Sequence, residues 1–146
     1  MLDIDFFMNE AIKVASESLI DVPIGALVVR NGEILASAHN EKELKNNSTL
    51  HAEMIVIQKA QEVLGRWRLD DCELFVTLEP CPMCAWAIIQ ARFKSVYFGA
   101  SDVLYGALGG ALDLRKIANS DLVVVGGIKE KECSELLRNY MKKIRE

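Results

Sequence analysis

The stretch Glu79-Pro80-Cys81-Pro82-Met83-Cys84 joins residues 74–78, a run typical of a strand, to an apolar run typical of a buried helix. Pro82 suits the first turn of that helix, because the first N–H groups of a helix have no intrahelical partner. Cys81 and Cys84 are then one helical turn apart, so both thiols lie on one side of the helix N-terminus. The positive end of the helix dipole favours the thiolate form, which binds metal ions. The stretch therefore predicts a strand, a turn and a helix whose start offers two ligands of a metal site.

A third ligand and a proton carrier are present earlier in the chain, in Leu50-His51-Ala52-Glu53. His51 with Cys81 and Cys84 gives zinc three protein ligands, which leaves one of its four tetrahedral positions open. An open position distinguishes catalytic zinc sites from structural ones. Glu53 lies about 200° from His51 around a helix of 3.6 residues per turn. The two side chains do not share one side of the helix, but both can reach a zinc ion near its start. Glu53 is expected to act on a water at the open position, as general base and then general acid, without binding the metal.

Length and composition limit the class of protein. A chain of 146 residues, 51% of them hydrophobic, is expected to form one globular domain, residues 1–146. No apolar run approaches the roughly 20 residues that a membrane helix needs, and the acidic residues 1–5 lack the positive start of a signal peptide. We therefore predict a cytoplasmic protein without membrane contact, whose four cysteines stay reduced. The net charge of −4 disfavours a general nucleic-acid binder, although residues 138–145 form a basic run.

Hydrophobic periodicity predicts a hairpin followed by alternating helices and strands. The predicted helices cover residues 3–18, 51–63, 82–91, 111–118 and 130–145. The predicted strands cover residues 26–29, 33–38, 73–78, 95–99 and 122–126, the last as a short buried strand. Asn31-Gly32 is typical of a two-residue hairpin turn, and residues 46–49 offer caps for the second helix. On the last helix, one face collects the apolar residues Cys133, Leu136, Leu137, Tyr140, Met141 and Ile144. This order predicts an α/β fold in which helices cover both faces of a mixed sheet.

The motifs in this chain resemble those of the cytidine-deaminase-like superfamily, and within it the bacterial tRNA adenosine deaminases. The shared residues are Val22-Pro23-Ile24-Gly25-Ala26, His39-Asn40, His51-Ala52-Glu53 and residues 76–84, which together contain the H-x-E and P-C-x-x-C signature of zinc deaminases. The resemblance implies a three-layer αβα sandwich with a mixed five-stranded sheet. It also implies one Zn²⁺ ion per subunit, a homodimer, and conversion of adenosine to inosine at the wobble position of tRNA.

The same resemblance implies roles for individual residues around the substrate. Asn40 is similar to the base-contacting asparagine of the family, and Ala52 to the residue whose backbone N–H holds the base. Asp102 falls where the family has a residue near the substrate ribose. A role for Tyr140 follows from the residues and not from the resemblance: its aromatic ring is expected to stack an unpaired base of the tRNA anticodon loop, while the cations that follow it contact phosphates. Those cations are Lys142, Lys143 and Arg145.

Two alternatives remain open at the level of the sequence. Bacterial guanine deaminases share the core motif, so a small nucleobase or nucleotide is the alternative substrate. The other alternative is a binding module with a closed structural zinc, in which Cys72 supplies a fourth ligand. The strand predicted after Cys72 argues against this module, because at about 3.3 Å per residue its two ends lie about 20 Å apart.

Overall fold

The computed structural model describes residues 1–145. Its helices are α1 (Ile4–Ala15), α2 (Ala52–Leu64), α3 (Pro82–Gln90), α4 (Leu114–Ala118) and α5 (Glu130–Ile144). Its strands are β1 (Gly25–Arg30), β2 (Glu33–His39), β3 (Cys72–Leu78), β4 (Ser95–Ala100) and β5 (Val123–Val125). The predicted order of helices and strands is confirmed, with boundaries that differ by a few residues.

The five strands form one mixed sheet in the order β2-β1-β3-β4-β5. β1 pairs with β2 and with β3 in antiparallel orientation, whereas β3 and β4, and β4 and β5, are parallel. In the β1–β2 turn, Asn31 has φ 51° and Gly32 has φ 76°, the left-handed backbone that this two-residue turn requires. The register of β1 and β2 shifts between Val28 and Val29, so that β2 carries one extra residue, Leu35, as a β-bulge.

Helices cover both faces of the sheet, because successive residues of each strand point to opposite sides. In β1, Ala26 and Val28 face a core shared with α2 and α3, whereas Leu27 and Val29 face a core shared with α1 and α5. Gly25, at the start of β1, lies so close to α1 that any side chain there would collide with the helix backbone. The predicted three-layer αβα sandwich is therefore confirmed. No helix within residues 1–145 combines the length and the hydropathy that crossing a membrane requires.

One end of the sheet collects the segments that lead into α2 and α3. There the end of β3 lies beside the start of β1, and the Gly25 N–H donates to the Thr77 hydroxyl oxygen. β2 ends beside them, since the Asn40 N–H donates to the Ile24 carbonyl. Because α2 follows β2 and α3 follows β3, both helices begin at this end. The carboxyl ends of the parallel strands β3 and β4 lie there too, which is the usual place for ligand sites in α/β sheets.

One prediction about burial is wrong. β5 is an exposed strand rather than a buried one, because it lies at the edge of the described sheet, and Val123 and Val125 face solvent. On α5, Cys133 packs against Gly99 of β4 and is the one buried residue between positions 130 and 144. Met141 and Ile144, in the last turns of this apolar face, are exposed, whereas Tyr140 is half-buried.

The ends of two helices also differ from the prediction. α1 ends at Ala15 rather than at residue 18, and Leu19 is exposed beyond the helix. α2 has His51 as its N-cap residue and takes no side-chain cap from residues 46–49. The Asn47 side chain instead accepts hydrogen bonds from the N–H and the hydroxyl of Thr49, because short polar side chains readily bond to nearby backbone.

Candidate active site

The starts of α2 and α3 bring the three predicted metal ligands together. His51 is the last residue before α2 and Cys81 the last before α3, and both have extended backbone conformations. Pro82 occupies the first turn of α3, as predicted, and Cys84 follows in the same turn. The Nδ1 atom of His51 lies 3.6 Å from the Cys81 Sγ atom and 3.5 Å from the Cys84 Sγ atom. Three donor atoms therefore converge at two neighbouring helix N-termini.

The spacing of these donor atoms fits a tetrahedral zinc ion. All three lie within 4.8 Å of one another. With bonds of about 2.3 Å to sulfur and about 2.05 Å to nitrogen, a tetrahedral zinc ion holds nitrogen and sulfur ligands about 3.6 Å apart. The observed nitrogen–sulfur distances of 3.5 and 3.6 Å match that separation. One imidazole and two thiols also suit zinc better than magnesium or calcium, which prefer oxygen ligands. Cys72, at the opposite end of β3, lies outside this group.

Hydrogen bonds set the charges within the ligand group. The hydrogen bond from Cys84, assisted by His51, lowers the pKa of the Cys81 thiol to about 4. The same hydrogen bond raises the pKa of Cys84, and the hydrogen bond with Cys81 raises the pKa of His51. These shifts favour the thiolate form of Cys81, and zinc binding would release the thiol protons that remain, because both cysteines bind the metal as thiolates.

Glu53 lies in the first turn of α2, buried beside the ligand group. Burial is the main reason that its pKa is raised to about 7. A carboxyl with a pKa near neutrality can both take up and release a proton at physiological pH, as general acid–base catalysis requires. Within residues 1–145, the mutually close donor atoms belong to His51, Cys81 and Cys84 and do not include Glu53. The geometry is thus compatible with a proton carrier that is separate from the metal ligands.

Two residues expected to contact the base are hydrogen-bonded to each other. Asn40 follows β2 and is buried, and its Oδ1 atom accepts the Ala52 N–H at 2.7 Å. This bond satisfies one of the free N–H groups at the start of α2, the role expected of a helix cap. The Asn40 Nδ2 group donates no hydrogen bond within residues 1–145. Asn40 therefore presents a donor while its acceptor oxygen is occupied.

Asp102 follows β4 and begins an exposed turn. Its Oδ1 atom accepts the N–H groups of Leu104 and Tyr105, both at 3.0 Å, which holds the turn in shape. Val103, Leu104 and Tyr105 are 67–77% exposed at the tip. Asp102 thus has a local structural role beside its predicted role near the ribose.

Tyr140 lies on α5, half-buried, and its hydroxyl donates to the Ile20 carbonyl at 3.5 Å. Ile20 belongs to the connection between α1 and β1, which leads to the end of the sheet where α2 and α3 begin. Tyr140 is therefore hydrogen-bonded to the connection between α1 and β1 and not to the ligand group.

Sequence reasoning does not single out two buried carboxylates near the site. Asp21 accepts the N–H groups of Glu43 at 2.6 Å and Leu44 at 3.1 Å, and so holds the loop between β2 and α2. Glu79 accepts the N–H groups of residues 102, 108 and 110. A signal for Glu79 does exist, because a carboxylate precedes the C-x-x-C turn and several glycines follow at 106–110. The partners, however, lie 23 to 31 positions away along the chain.

Comparison with known proteins places this geometry in a family. The family model of MafB19-like deaminases matches residues 3–145. The tRNA-specific adenosine deaminase of Bacillus subtilis (strain 168) is 45% identical over 145 residues, which cover 97% of this chain and 90% of that protein. A solved structure of a tRNA:A34 deaminase, from work on A-to-I editing at the wobble position of transfer RNA, is 38% identical. It covers 90% of this chain and 99% of its own, with a TM-score of 0.83.

A guanine deaminase from Bacillus subtilis is also similar in structure. It is 41% identical and covers 68% of this chain and 66% of its own, with a TM-score of 0.66. The similarity to the tRNA-specific adenosine deaminases extends further along both chains, and it confirms the resemblance drawn from the sequence motifs. The chain therefore belongs to the cytidine-deaminase-like superfamily, as a MafB19-like hydrolytic deaminase of the tRNA-specific adenosine deaminase group.

Proposed function

We propose that this deaminase converts adenosine to inosine at the wobble position of a tRNA anticodon loop, with one zinc ion per subunit. The observation that carries the proposal is the convergence of the His51 imidazole with the Cys81 and Cys84 thiols, beside the buried Glu53 carboxyl. The substrate is supported by the relatives, since the protein that is 45% identical over nearly the whole chain is a tRNA-specific adenosine deaminase. The similarity to a guanine deaminase covers only 68% of the chain and supports the alternative substrate less.

In this proposal His51, Cys81 and Cys84 hold the zinc ion through one nitrogen and two sulfur atoms. Bound zinc acts as a Lewis acid that lowers the pKa of water towards about 7 and so supplies a nucleophile at neutral pH. The net reaction replaces the amino group at C6 of adenine by an oxygen from water and releases ammonia. Glu53 accepts one proton of the water on its carboxylate and delivers it to a ring nitrogen. It then carries the second proton of the same water to the amino group, which leaves as ammonia. One carboxyl therefore serves first as general base and then as general acid.

Asn40 and Ala52 are proposed to fix the base together. Because the Asn40 Oδ1 atom accepts the Ala52 N–H, the Asn40 Nδ2 group is the atom that can donate to an acceptor on the purine. Direct contact between the Ala52 N–H and the base would require this hydrogen bond to open. We therefore assign Ala52 the role of orienting the Asn40 amide. A site that is matched to a base in this way rejects analogues without the corresponding acceptor.

Asp102 and Tyr140 are proposed to contact the RNA around the target base. The turn occupies the Asp102 Oδ1 atom, so its Oδ2 atom is the one that can accept a hydrogen bond from a ribose hydroxyl. Tyr140 precedes the basic last turn of α5, where an aromatic ring can stack an unpaired base while cations follow the phosphates. The unpaired bases of an anticodon loop also lower the cost of extruding the target nucleotide.

We further propose that residues 1–146 act as one domain, in a cytoplasmic homodimer. Trp67, after α2, and Trp86, on α3, are large exposed aromatic side chains, a type enriched at protein interfaces. The reduced thiols that the site requires fit the cytoplasm. Sedimentation equilibrium at micromolar concentration tests the assembly, and a mass of one chain would refute the homodimer.

The decisive experiment measures inosine formation and ammonia release on a panel of substrates. The panel contains an anticodon stem-loop RNA with adenosine at the wobble position, the same RNA with that adenosine moved into the stem, free adenosine, guanine, cytosine and cytidine. We expect turnover on the first RNA alone, because recognition depends on an extruded loop base. Ammonia release from guanine without activity on the stem-loop would transfer the function to the alternative substrate.

A matched pair of variants tests the role of Glu53. Glu53→Gln should keep its zinc and its fold and lose at least about 10²-fold in kcat, the usual contribution of general acid–base catalysis. Glu62→Gln on the exposed face of the same helix should have wild-type kcat and zinc content. A Glu53→Gln variant without zinc would make Glu53 a ligand and contradict its assignment as proton carrier.

A further inference from the structure

Glu79 is a buried carboxylate that joins both ends of one loop to the turn before Cys81. Its Oε1 atom accepts the Asp102 N–H at 3.0 Å, and its Oε2 atom accepts the N–H groups of Leu108 at 3.1 Å and Gly110 at 2.8 Å. The side chain is only 3% exposed. Glu79 takes no part in the proposed proton transfers, although it lies two residues before a proposed metal ligand.

The fit between Glu79 and the loop 102–110 is mutual. A side chain at Gly106 would collide with the Glu79 carboxyl group, and one at Gly110 would place its Cβ atom 2.6 Å from the Glu79 Oε1 atom. The loop is tied to the same turn a second time, because the Ala107 N–H donates to the Pro80 carbonyl at 2.9 Å. The carboxylate therefore fills a cradle that only glycines leave open.

Residues 103–105 form the exposed tip of the anchored loop. Asp102 shapes the turn through its own side chain, and residues 103–105 project three exposed apolar side chains from it. We propose that Glu79 is a positioning residue, which holds this loop in a fixed relation to Cys81 so that Asp102 and the tip meet the RNA beside the target base. The proposal rests on the proposed function in that it takes RNA as the substrate of the same site.

A positioning role predicts an effect on substrate binding rather than on the chemical step. A loop with glycines at 106, 109 and 110 has high conformational freedom when it is not anchored. An anchored loop has given up that freedom before RNA binds, so binding does not have to restrict it again. Without the anchor, RNA binding must restrict the loop and so becomes less favourable. KM is then expected to rise, while kcat changes little.

Glu79→Gln tests the role with little change in shape. The glutamine amide has one acceptor oxygen, which keeps two hydrogen bonds if it faces Leu108 and Gly110. Its NH₂ group then faces the Asp102 N–H, so the Asp102 end of the loop is released. We expect KM for the stem-loop RNA to rise about tenfold, with kcat within about twofold and unchanged zinc content. In NMR hydrogen exchange of the free protein, the Asp102 amide should exchange at least about tenfold faster.

Glu73→Gln is the matched control, since Glu73 is a half-buried carboxylate at the opposite end of β3. It should leave KM and the exchange of the Asp102 amide at wild-type values. Gly110→Ala disturbs the cradle from the loop side and should reproduce the rise in KM. The new Cβ atom would also collide with the Asp102 carbonyl oxygen, at the other end of the same loop. Because both changes disturb the junction of Glu79 with this loop, the rise in KM of the double variant with Glu79→Gln should be smaller than the product of the two single rises. If Glu79→Gln does not fold, Gly110→Ala alone decides the test.

The proposal is overturned if the Asp102 amide exchanges at its wild-type rate in both cradle variants, or if kcat falls while KM stays unchanged. A lower zinc content in Glu79→Gln would also overturn it, because Glu79 would then support the metal ligands instead of the loop. The exchange measurement uses the free protein and so decides the positioning role independently of the substrate. A wild-type enzyme inactive on the stem-loop would refute the proposed function instead.

Discussion

Asn40 is expected to have two functions that a pair of substitutions can separate. Its Oδ1 atom accepts the Ala52 N–H at 2.7 Å, so Asn40→Ala leaves a buried N–H at the start of α2 without its partner. Losing a helix cap costs about 0.5–2 kcal/mol, and an unpaired buried donor costs about 1–3 kcal/mol. We therefore expect the free energy of unfolding to fall by about 1.5 kcal/mol. With an unfolding entropy of about 2.1 cal/mol/K per residue, this corresponds to about 5 °C in Tm for 146 residues.

Asn40→Asp should keep the hydrogen bond that caps α2 and lose the hydrogen bond that Nδ2 donates to the base. The carboxylate retains an acceptor for the Ala52 N–H, and a negative charge at the start of α2 interacts favourably with the helix dipole. We expect its Tm to stay within about 2 °C of wild type. The change replaces the Nδ2 donor by a second acceptor, so kcat/KM on the stem-loop RNA should fall about 10²-fold or more, as in Asn40→Ala.

Calorimetry gives the Tm values, and inosine formation under conditions of limiting substrate gives kcat/KM. Metal analysis of each variant is the control, because all three proteins should hold one zinc ion per chain. If Asn40→Asp unfolds at the same temperature as Asn40→Ala, the cap has been assigned wrongly. If Asn40→Asp deaminates the RNA at the wild-type rate, the Nδ2 group does not contact the base.

Three further outcomes are expected. Cys84→Ala should lose zinc in metal analysis, whereas Cys72→Ala, at the other end of β3, should keep it. Hydrogen bonds from Arg30 hold the pKa of Asp71 well below its usual range, so its ion pairs stabilise the fold above its unfolded pKa of about 3.9 and are lost as pH falls. Because that side chain is 40% exposed, Asp71→Asn should lower the free energy of unfolding at pH 7 by only about 0.5 kcal/mol, and in urea titrations the difference should shrink below about pH 4. Replacing the basic residues that end α5 by alanine should reduce the salt slope of RNA affinity by about 0.7 for each phosphate that the helix no longer neutralises; these are Lys142, Lys143 and Arg145.

Each of these outcomes can be contradicted by one measurement. Zinc retained by Cys84→Ala, or lost from a folded Cys72→Ala, would contradict the three-ligand assignment. A stability difference for Asp71→Asn that persists at pH 2 would mean that the ion pairs are not its cause. A salt slope unchanged in the alanine variant would place the RNA on another surface, and Glu130→Gln at the far end of α5 is the control for that helix.

The parts of the fold that could be predicted are those whose causes are local in the sequence. Asn31-Gly32 strongly favours a left-handed hairpin turn, and Pro82 suits the first turn of a helix. The burial of β5 could not be predicted in the same way, because three consecutive valines fit a central strand and an edge strand equally well. Which of the two they form depends on pairing with β4, a segment more than 20 positions away.

In the site, too, the features with local causes could be predicted and the contacts between distant segments could not. The convergence of His51 with Cys81 and Cys84 could be predicted because zinc accepts few ligand types and the motif contains all three. The contact between Asn40 and Ala52 could not, since the family resemblance assigns each residue separately to the base, and the hydrogen bond joins the end of β2 to the start of α2. Glu79 escapes prediction for the same reason, because its partners are backbone groups of a distant loop.

The bulge at Leu35 affects how the sheet meets other molecules. In the described sheet β2 and β5 are the two edges, and an open edge can pair with a strand of another chain. β5 has only three residues, too few to align a partner, although its valines are exposed. β2 has seven residues, but the bulge interrupts the regular spacing of its N–H and carbonyl groups. An incoming strand therefore finds no long regular ladder at either edge of the described sheet, and short or bulged edge strands are a usual way in which proteins limit edge-to-edge pairing.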